Sequence, residues 1–267
     1  MIITTAGRTN EQMINKAQEI AVELNAVYIE RNKRSVIAIM ETGEDDCIVV
    51  GKNRLELYPY GESEPFFFHP NSSMFRIKRL LNGEKDPFLE AAQLEAGMSL
   101  LDCTLGLASD SIVASFSMGE SGKVTGIETN PYLAYIVQKG LFQWDSGLEE
   151  MNKAMRRITV NQNNSFEILQ QLEDNSFDCV YFDPMFEATI LESDGIRGLT
   201  KFASKDGLFA EMIEQAYRVA RKRIILKDHF RSKRFEQYHF TVTRRKTAKF
   251  HFGIIEKNEK NLSSVKR

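Results

Sequence analysis

Leu101-Asp102-Cys103-Thr104-Leu105-Gly106-Leu107-Ala108-Ser109-Asp110 is the stretch on which the fold turns. An apolar run over 98–103 enters it, and a run bearing Ala, Ile, Val and Phe leaves it as far as about residue 118. The stretch therefore reads as the turn of a strand–turn–helix unit. Gly106 has no Cβ and lets the backbone come close to a ligand. The helix start near Ser109 offers free N–H groups to an anionic group. A dinucleotide fingerprint would need further glycines where this chain has Ala108 and Ser109, so a nicotinamide-dependent oxidoreductase loses its main support.

Working outward, the same alternation repeats. Upstream, Asp86-Pro87 supplies an N-cap and a first-turn proline for a helix expected to run to about residue 96, with Gly97 closing it. Downstream, strands are expected over 123–128, 158–161, 177–182 and 223–227. Helices are expected after Asn130-Pro131, around 166–172 and over 209–219. The segments 238–243 and 250–255 read as an antiparallel hairpin. Repeated βα units predict an α/β fold, a doubly wound Rossmann-like parallel sheet with helices on both faces.

Before residue 70 the rhythm differs, and a small mixed α/β unit is expected over 1–70, with the main domain over 71–267. Residues 2–5 are strand-like, and Thr9 with Gln12 makes a capping box. Met13, Ala17, Ile20, Ala21 and Leu24 then recur at helical spacing. Short β-favouring runs follow at 27–29, 36–40, 47–50 and 55–58. Phe66-Phe67-Phe68 reads as a core or interdomain contact, and His69-Pro70-Asn71-Ser72-Ser73 as a linker.

Composition narrows the classes further. Of the 267 residues 42% are apolar and 27% charged, enough to bury a substantial core. No apolar run approaches the roughly 18 residues of a membrane span, and the opening residues lack a signal peptide's order, so a cytoplasmic protein is expected. Cys47, Cys103 and Cys179 fit neither a disulfide framework nor a metal site, and Cys103 and Cys179 read as small core residues. His229 and His239 lack ligand spacing, so no metal is expected. The net charge of -2 hides an asymmetry: residues 218–249 hold twelve Lys or Arg against Asp228 and Glu236, a local charge of +10. Such a stretch docks a polyanion or forms a solvated, salt-bridged face, and charge alone does not choose. Arg76, Lys78 and Arg79 read as a solvated helix face.

Two strand ends carry the chemistry. Glu128 ends a strand 22 residues after Gly106, where an acid accepts hydrogen bonds from both hydroxyls of a ribose. Val180-Tyr181-Phe182 runs straight into Asp183-Pro184-Met185-Phe186, which resembles the [Asp/Asn]-Pro-Pro-[Tyr/Phe] motif of methyltransferases acting on exocyclic amines. An amine conjugated to a base ring is a poor nucleophile. A carboxylate or backbone carbonyl that accepts its N–H bonds raises electron density on nitrogen. An aromatic side chain stacks on the base and aligns it.

Together, Asp102-x-Thr-x-Gly-Leu-x-x-Asp110, the strand ending Glu128-x-Asn130-Pro131, and Tyr181-Phe-Asp-Pro-Met-Phe186 resemble the bacterial small-subunit rRNA guanine-N2-methyltransferase J family over about residues 74–255. Ala108-Ser109 stands where that family has Gly-Arg, Thr129 where it has Arg, and Glu187 where a proline is usual. The resemblance implies a class I methyltransferase fold with S-adenosylmethionine as cofactor. It implies a cofactor pocket lined by Asp102, Gly106, Ser109, Asp110, Glu128, Thr129, Asn164, Ser165 and Asp183, and catalysis by Asp183, Pro184 and Phe186. Structured RNA, docked through 218–249, is the expected partner, with guanine N2 as the acceptor. A protein or small-molecule acceptor and a non-catalytic RNA-binding module remain open as alternatives.

Overall fold

Capped helical stretches alternating with β-branched runs give two sheets, and the computed structural model describes residues 1–184, 208–245 and 248–257. The first sheet is built from β1 (Ile2–Thr5), β2 (Val27–Tyr28), β3 (Cys47–Val50) and β4 (Leu55–Tyr58), with α1 (Glu11–Glu23) and α2 (Val36–Gly43) between strands. Its order is β2-β1-β3-β4, parallel except for the β3–β4 hairpin. Two helices, α3 (Asn71–Leu81) and α4 (Pro87–Ala92), lead to the second sheet.

That sheet has seven strands. β5 (Ser99–Asp102), β6 (Lys123–Glu128), β7 (Ile158–Gln162), β8 (Phe177–Phe182) and β9 (Ala220–His229) are parallel. β10 (Thr241–Thr243) and β11 (Phe250–Glu256) close it as an antiparallel hairpin on β9. The order is β10-β11-β9-β8-β5-β6-β7, so the chain reverses direction across the sheet between β5 and β8. Every residue of β8 is buried, as a central strand covered on both faces requires. The connections carry α5 (Ser109–Met118), α6 (Pro131–Gln143), α7 (Glu149–Arg156), α8 (Ser165–Gln171) and α9 (Ala210–Val219), and α10 (Arg234–Gln237) follows β9. This is the expected α/β class with its terminal hairpin. Among the described residues no helix is long and apolar enough to cross a membrane.

One apolar cluster joins Ile3, Ile48, Leu57, Phe66 and Phe68 of the first unit to Leu100, Ile112 and Val137 of the second. Phe66 and Phe68 are thus core residues, while Phe67 lies under the Arg54 guanidinium, 3.8 Å from its ring centroid. Phe68 lies so close to Gly140 of α6 that a Cβ there would meet its ring at 2.2 Å.

Several local expectations are corrected. Residues 36–40, β-favouring by residue type, form α2 because Ser35 caps Ala38 and the helix buries Ile39 and Met40. The cap of α1 is Asn10, which accepts from the Met13 amide, and not Thr9. α4 stops at Ala92 because Gln93 takes a left-handed conformation, short of residue 96. The turn formers at 69–73 are no free linker: Asn71 opens α3, and the buried Ser73 donates its hydroxyl to the Ser109 carbonyl. α7 was not anticipated, although Met151, Ala154 and Met155 mark its buried face at helical spacing.

Candidate active site

Ligand sites in such sheets lie beyond the carboxyl ends of strands where the order reverses, which here means the loops after β5 and β8. Asp102 ends β5, is buried, and organises the turn that follows. Its Oδ1 accepts from the Thr104 amide at 3.0 Å and its Oδ2 from the Ser111 hydroxyl at 2.6 Å. Burial pushes its carboxyl up to about 7, against the pull of those two bonds. The Leu105 amide donates to the Ile127 carbonyl and ties the turn to β6. Gly106 has φ +47, and the nearest heavy atom to an added Cβ is the Thr104 carbonyl oxygen at 3.8 Å, so its outer face is open. Ala108, also left-handed at φ 59, swings the chain into α5.

Glu128 ends β6 and is 8% exposed. Its Oε1 accepts from the Asn130 amide at 3.0 Å and its Oε2 from the Gly106 amide at 3.3 Å, which joins the two strand ends. Burial raises its pKa, opposed by backbone bonds from Asn130, Gly106 and Thr129. Ser109 and Thr129 are half-buried beside this carboxylate's loops. Asn164 spends its side chain capping α8, and Ser165 donates its hydroxyl to the Cys103 carbonyl. The Ser165 bond fixes the start of α8 to the turn that leaves β5.

Asp183 leaves β8 at the same edge. Its amide donates to Thr104 Oγ1 at 2.6 Å, and its Oδ2 accepts from Lys227 Nζ at 2.6 Å. Burial raises the Asp183 pKa, with Lys227 lowering it and Asp110 adding to the rise. Asp110 has both oxygens occupied: Oδ1 by Arg76 at 2.6 Å, Oδ2 by the Tyr181 hydroxyl at 2.7 Å and Lys227 at 3.1 Å. Burial opposes its ionisation, but Lys227 and Arg76 prevail and hold it well below the usual carboxylate range. Pro184 is half-buried beside Asp183, while Met185, Phe186 and Glu187 lie outside the described residues.

Residues 32–254 match the family model described as "Putative SAM-dependent methyltransferase". The chain belongs to this family. The methyltransferase is 50% identical to "Uncharacterized protein YpiP" of Bacillus subtilis (strain 168) over 255 residues, 96% of this chain and 99% of that one. It is 24% identical to Ribosomal RNA small subunit methyltransferase J of Legionella pneumophila (strain Corby) over 230 residues, 84% of this chain and 86% of the other. A solved SAM-dependent methyltransferase, NGO1261 from Neisseria gonorrhoeae, superposes with a TM-score of 0.63 over 98% of this chain and 99% of its own, at 17% identity. That likeness is one of fold. The methyltransferase uses S-adenosylmethionine as its cofactor.

Lys227 and Arg76 are the site residues that sequence reasoning missed. Arg76 is no solvated face: it chelates Asp86 at 2.7 and 2.8 Å and reaches Asp110. The available signal for Lys227 was a lone cation closing the apolar run Ile224-Ile225-Leu226, on the strand next to the one that ends in Asp183. Cys103 and Cys179 are buried core thiols, and burial pushes Cys179 up to about 12.

The basic stretch of the methyltransferase is not one surface. β9 has ten residues and spans roughly 33 Å, so its two ends lie on opposite edges of the sheet. Arg218, Arg221, Lys222 and Arg223 flank its amino end, away from the site, and Arg218, Arg221 and Arg223 pair with Asp174, Asp178 and Glu256. Lys227 is inside the site, and Arg234 pairs with Asp228. Arg231, Arg244 and Lys249 lie near the carboxyl edge, where Phe230 is 45% exposed beneath the Arg231 guanidinium, 5.0 Å from its ring.

Proposed function

We propose that the protein methylates an exocyclic amine of an RNA base, with guanine N2 of small-subunit rRNA as the leading acceptor, and that it does so in the cytoplasm. The observation that carries this reading is the placement of Asp183 at the reversal of strand order, its backbone pinned to Thr104 and one carboxylate oxygen turned to Lys227. Among the described residues Oδ1 has no partner, which leaves it to accept an amine N–H. The relatives named Ribosomal RNA small subunit methyltransferase J favour RNA over other acceptors. Phe230 and Arg231 offer a ring and a cation at the same edge, suited to an unstacked base and its phosphate.

The residues present fit the cofactor. Glu128 accepts backbone bonds from Asn130, Gly106 and Thr129, and the four lone-pair sites of a carboxylate leave capacity for a ribose hydroxyl. The open face at Gly106 and the helix start at Ser109 admit a charged methionine end. In this reading Asp102, Asp110, Asn164 and Ser165 shape the pocket wall through their own bonds, and the Thr129 backbone completes it. Bound S-adenosylmethionine supplies an activated methyl group on sulfonium, which needs little acid–base help to leave. Asp183 Oδ1 orients the amine and takes its proton as the carbon–nitrogen bond forms, while Phe186 stacks on the base. Residues 71–267 form the transferase domain in this account, and 1–70 its appended unit.

The test is transfer of labelled methyl from the cofactor to RNA, protein and metabolite fractions, with small-subunit rRNA offered both naked and assembled. Label in rRNA supports the reading, and label confined to protein or metabolites overturns it.

A further inference from the structure

Five buried or half-buried charges alternate in sign across five elements. Asp86 caps α4 and is chelated by Arg76 of α3, and Arg76 reaches Asp110 of α5 at 2.6 Å. Asp110 meets Lys227 of β9 at 3.1 Å, and Lys227 meets Asp183 at 2.6 Å. The series ends on the carboxylate that the proposed function uses. Lys227 links the last two carboxylates of the series, because its Nζ stands between Asp110 and Asp183, which would otherwise face each other.

We infer that Lys227 is a positioning residue for methyl transfer: it keeps Asp183 a carboxylate, takes up Oδ2, and so presents Oδ1 to the acceptor amine. This rests on the reading of Asp183 as the amine's partner. Two buried carboxylates in proximity do not both stay ionised without a cation, and one of them takes a proton. Asp110 has Arg76 to hold its charge, so Asp183 would be the one to protonate. A protonated Asp183 donates where it should accept, which turns the amine lone pair toward the acid and away from the methyl group.

Other charges face Asp183 as well. Asp110 on α5, Asp102 on β5 and Asp228 on β9 all add negative field, and the Tyr181 hydroxyl on β8 is already committed to Asp110. Lys227 is the cation bonded to Asp183 among the described residues. Burial opposes the charge of Lys227 itself, but Asp110 and Asp183 hold its pKa well above the ordinary lysine value, so it stays charged throughout the working range of pH. Its side chain is 24% exposed and that of Asp183 25%, so the pair is half-buried and remains in reach of substrate.

The role predicts opposite shifts of the pH–rate profile from two substitutions, whereas an ion pair with no part in transfer leaves that profile unmoved. Lys227→Met removes the cation and should move the acid limb of the rate profile to higher pH by about one unit or more, with roughly tenfold or greater loss of kcat at neutral pH. Asp110→Asn removes a competing carboxylate and should move that limb to lower pH. Lys227→Arg restores a cation and should recover much of the rate. The experiment is single-turnover transfer against pH at saturating cofactor, with cofactor affinity measured alongside and expected to change little. NMR titration of the Asp183 carboxyl carbon in the same cofactor-bound proteins gives a second reading that needs no RNA substrate. A raised Asp183 pKa in Lys227→Met and a lowered one in Asp110→Asn support the inference. An Asp183 titration unmoved by either substitution overturns it, even if RNA methylation is found. Failure of the wild type to methylate RNA overturns the proposed acceptor and leaves the titration to decide on Lys227. If Lys227→Met does not fold, Asp110→Asn carries the test: no downward shift counts against the inference.

Discussion

At the scale of single residues, the proposed function gives Glu128 and Asp183 different work, and substitution should separate them. Glu128→Ala removes the carboxylate that joins Gly106 to Asn130 and is free to accept ribose hydroxyls. Calorimetry should show S-adenosylmethionine binding weakened by about 1.5–3 kcal/mol, the scale of a hydrogen bond to a charged group. Undiminished affinity would remove Glu128 from the pocket. Asp183→Ala should lower single-turnover transfer far more than it weakens cofactor binding, because alignment of the amine is felt in the transition state. Equal losses in the two would make Asp183 a cofactor ligand first. Both carboxylates were legible in the sequence because each stands at the end of an apolar strand, where topology leaves a side chain at the ligand edge. Lys227 and Arg76 were not legible, because their meaning lies in partners 117 and 34 residues distant along the chain. A cation's sign is visible in sequence, but its counter-ion is not.

At the scale of elements, strands of the seven-stranded sheet were legible to within a few residues, since apolar runs between capped helices have few other readings. Residues 36–40 were misread because β-branching is a weak preference that a cap and two buried side chains override. α6 carries a constraint that sequence could not show: Gly140 is a packing glycine, and Phe68 fills the space a side chain would need. Gly140→Ala should destabilise the fold by about 1–3 kcal/mol in denaturant unfolding, as overpacking does, despite alanine's better helix propensity. A stabilised variant would mean that Phe68 moves freely. β9 has a functional corollary, since it separates one basic run into two edges. Arg231→Ala with Arg244→Ala should flatten the salt dependence of RNA binding by up to about two phosphate contacts, while Lys222→Ala at the far edge should leave the slope unchanged. Equal effects at both edges would contradict docking at the carboxyl edge.

At the scale of the whole molecule, the net charge of -2 says little about partners, and five of the twelve cations in residues 218–249 are spent on ion pairs within the protein. Arg218, Arg221, Arg223 and Arg234 are paired with acids, and Lys227 lies in the site. At the carboxyl edge Arg231 lies over the exposed ring of Phe230, and this is the surface on which the proposed function would seat an unstacked RNA segment. The small N-terminal sheet shares its core with the transferase fold through Phe66 and Phe68, so the two units are held together by apolar packing. The proposed function engages the whole assembly: the cofactor at the end of β6, the amine at Asp183, and RNA across the carboxyl edge. The most direct measurement is mass spectrometry of the nucleosides from small-subunit rRNA treated with the protein and isotopically labelled S-adenosylmethionine. Label is expected in N2-methylguanosine and should be lost with Asp183→Ala. Label on a ring nitrogen or a ribose, or an Asp183→Ala variant that labels as fast as the wild type, would contradict the proposed function.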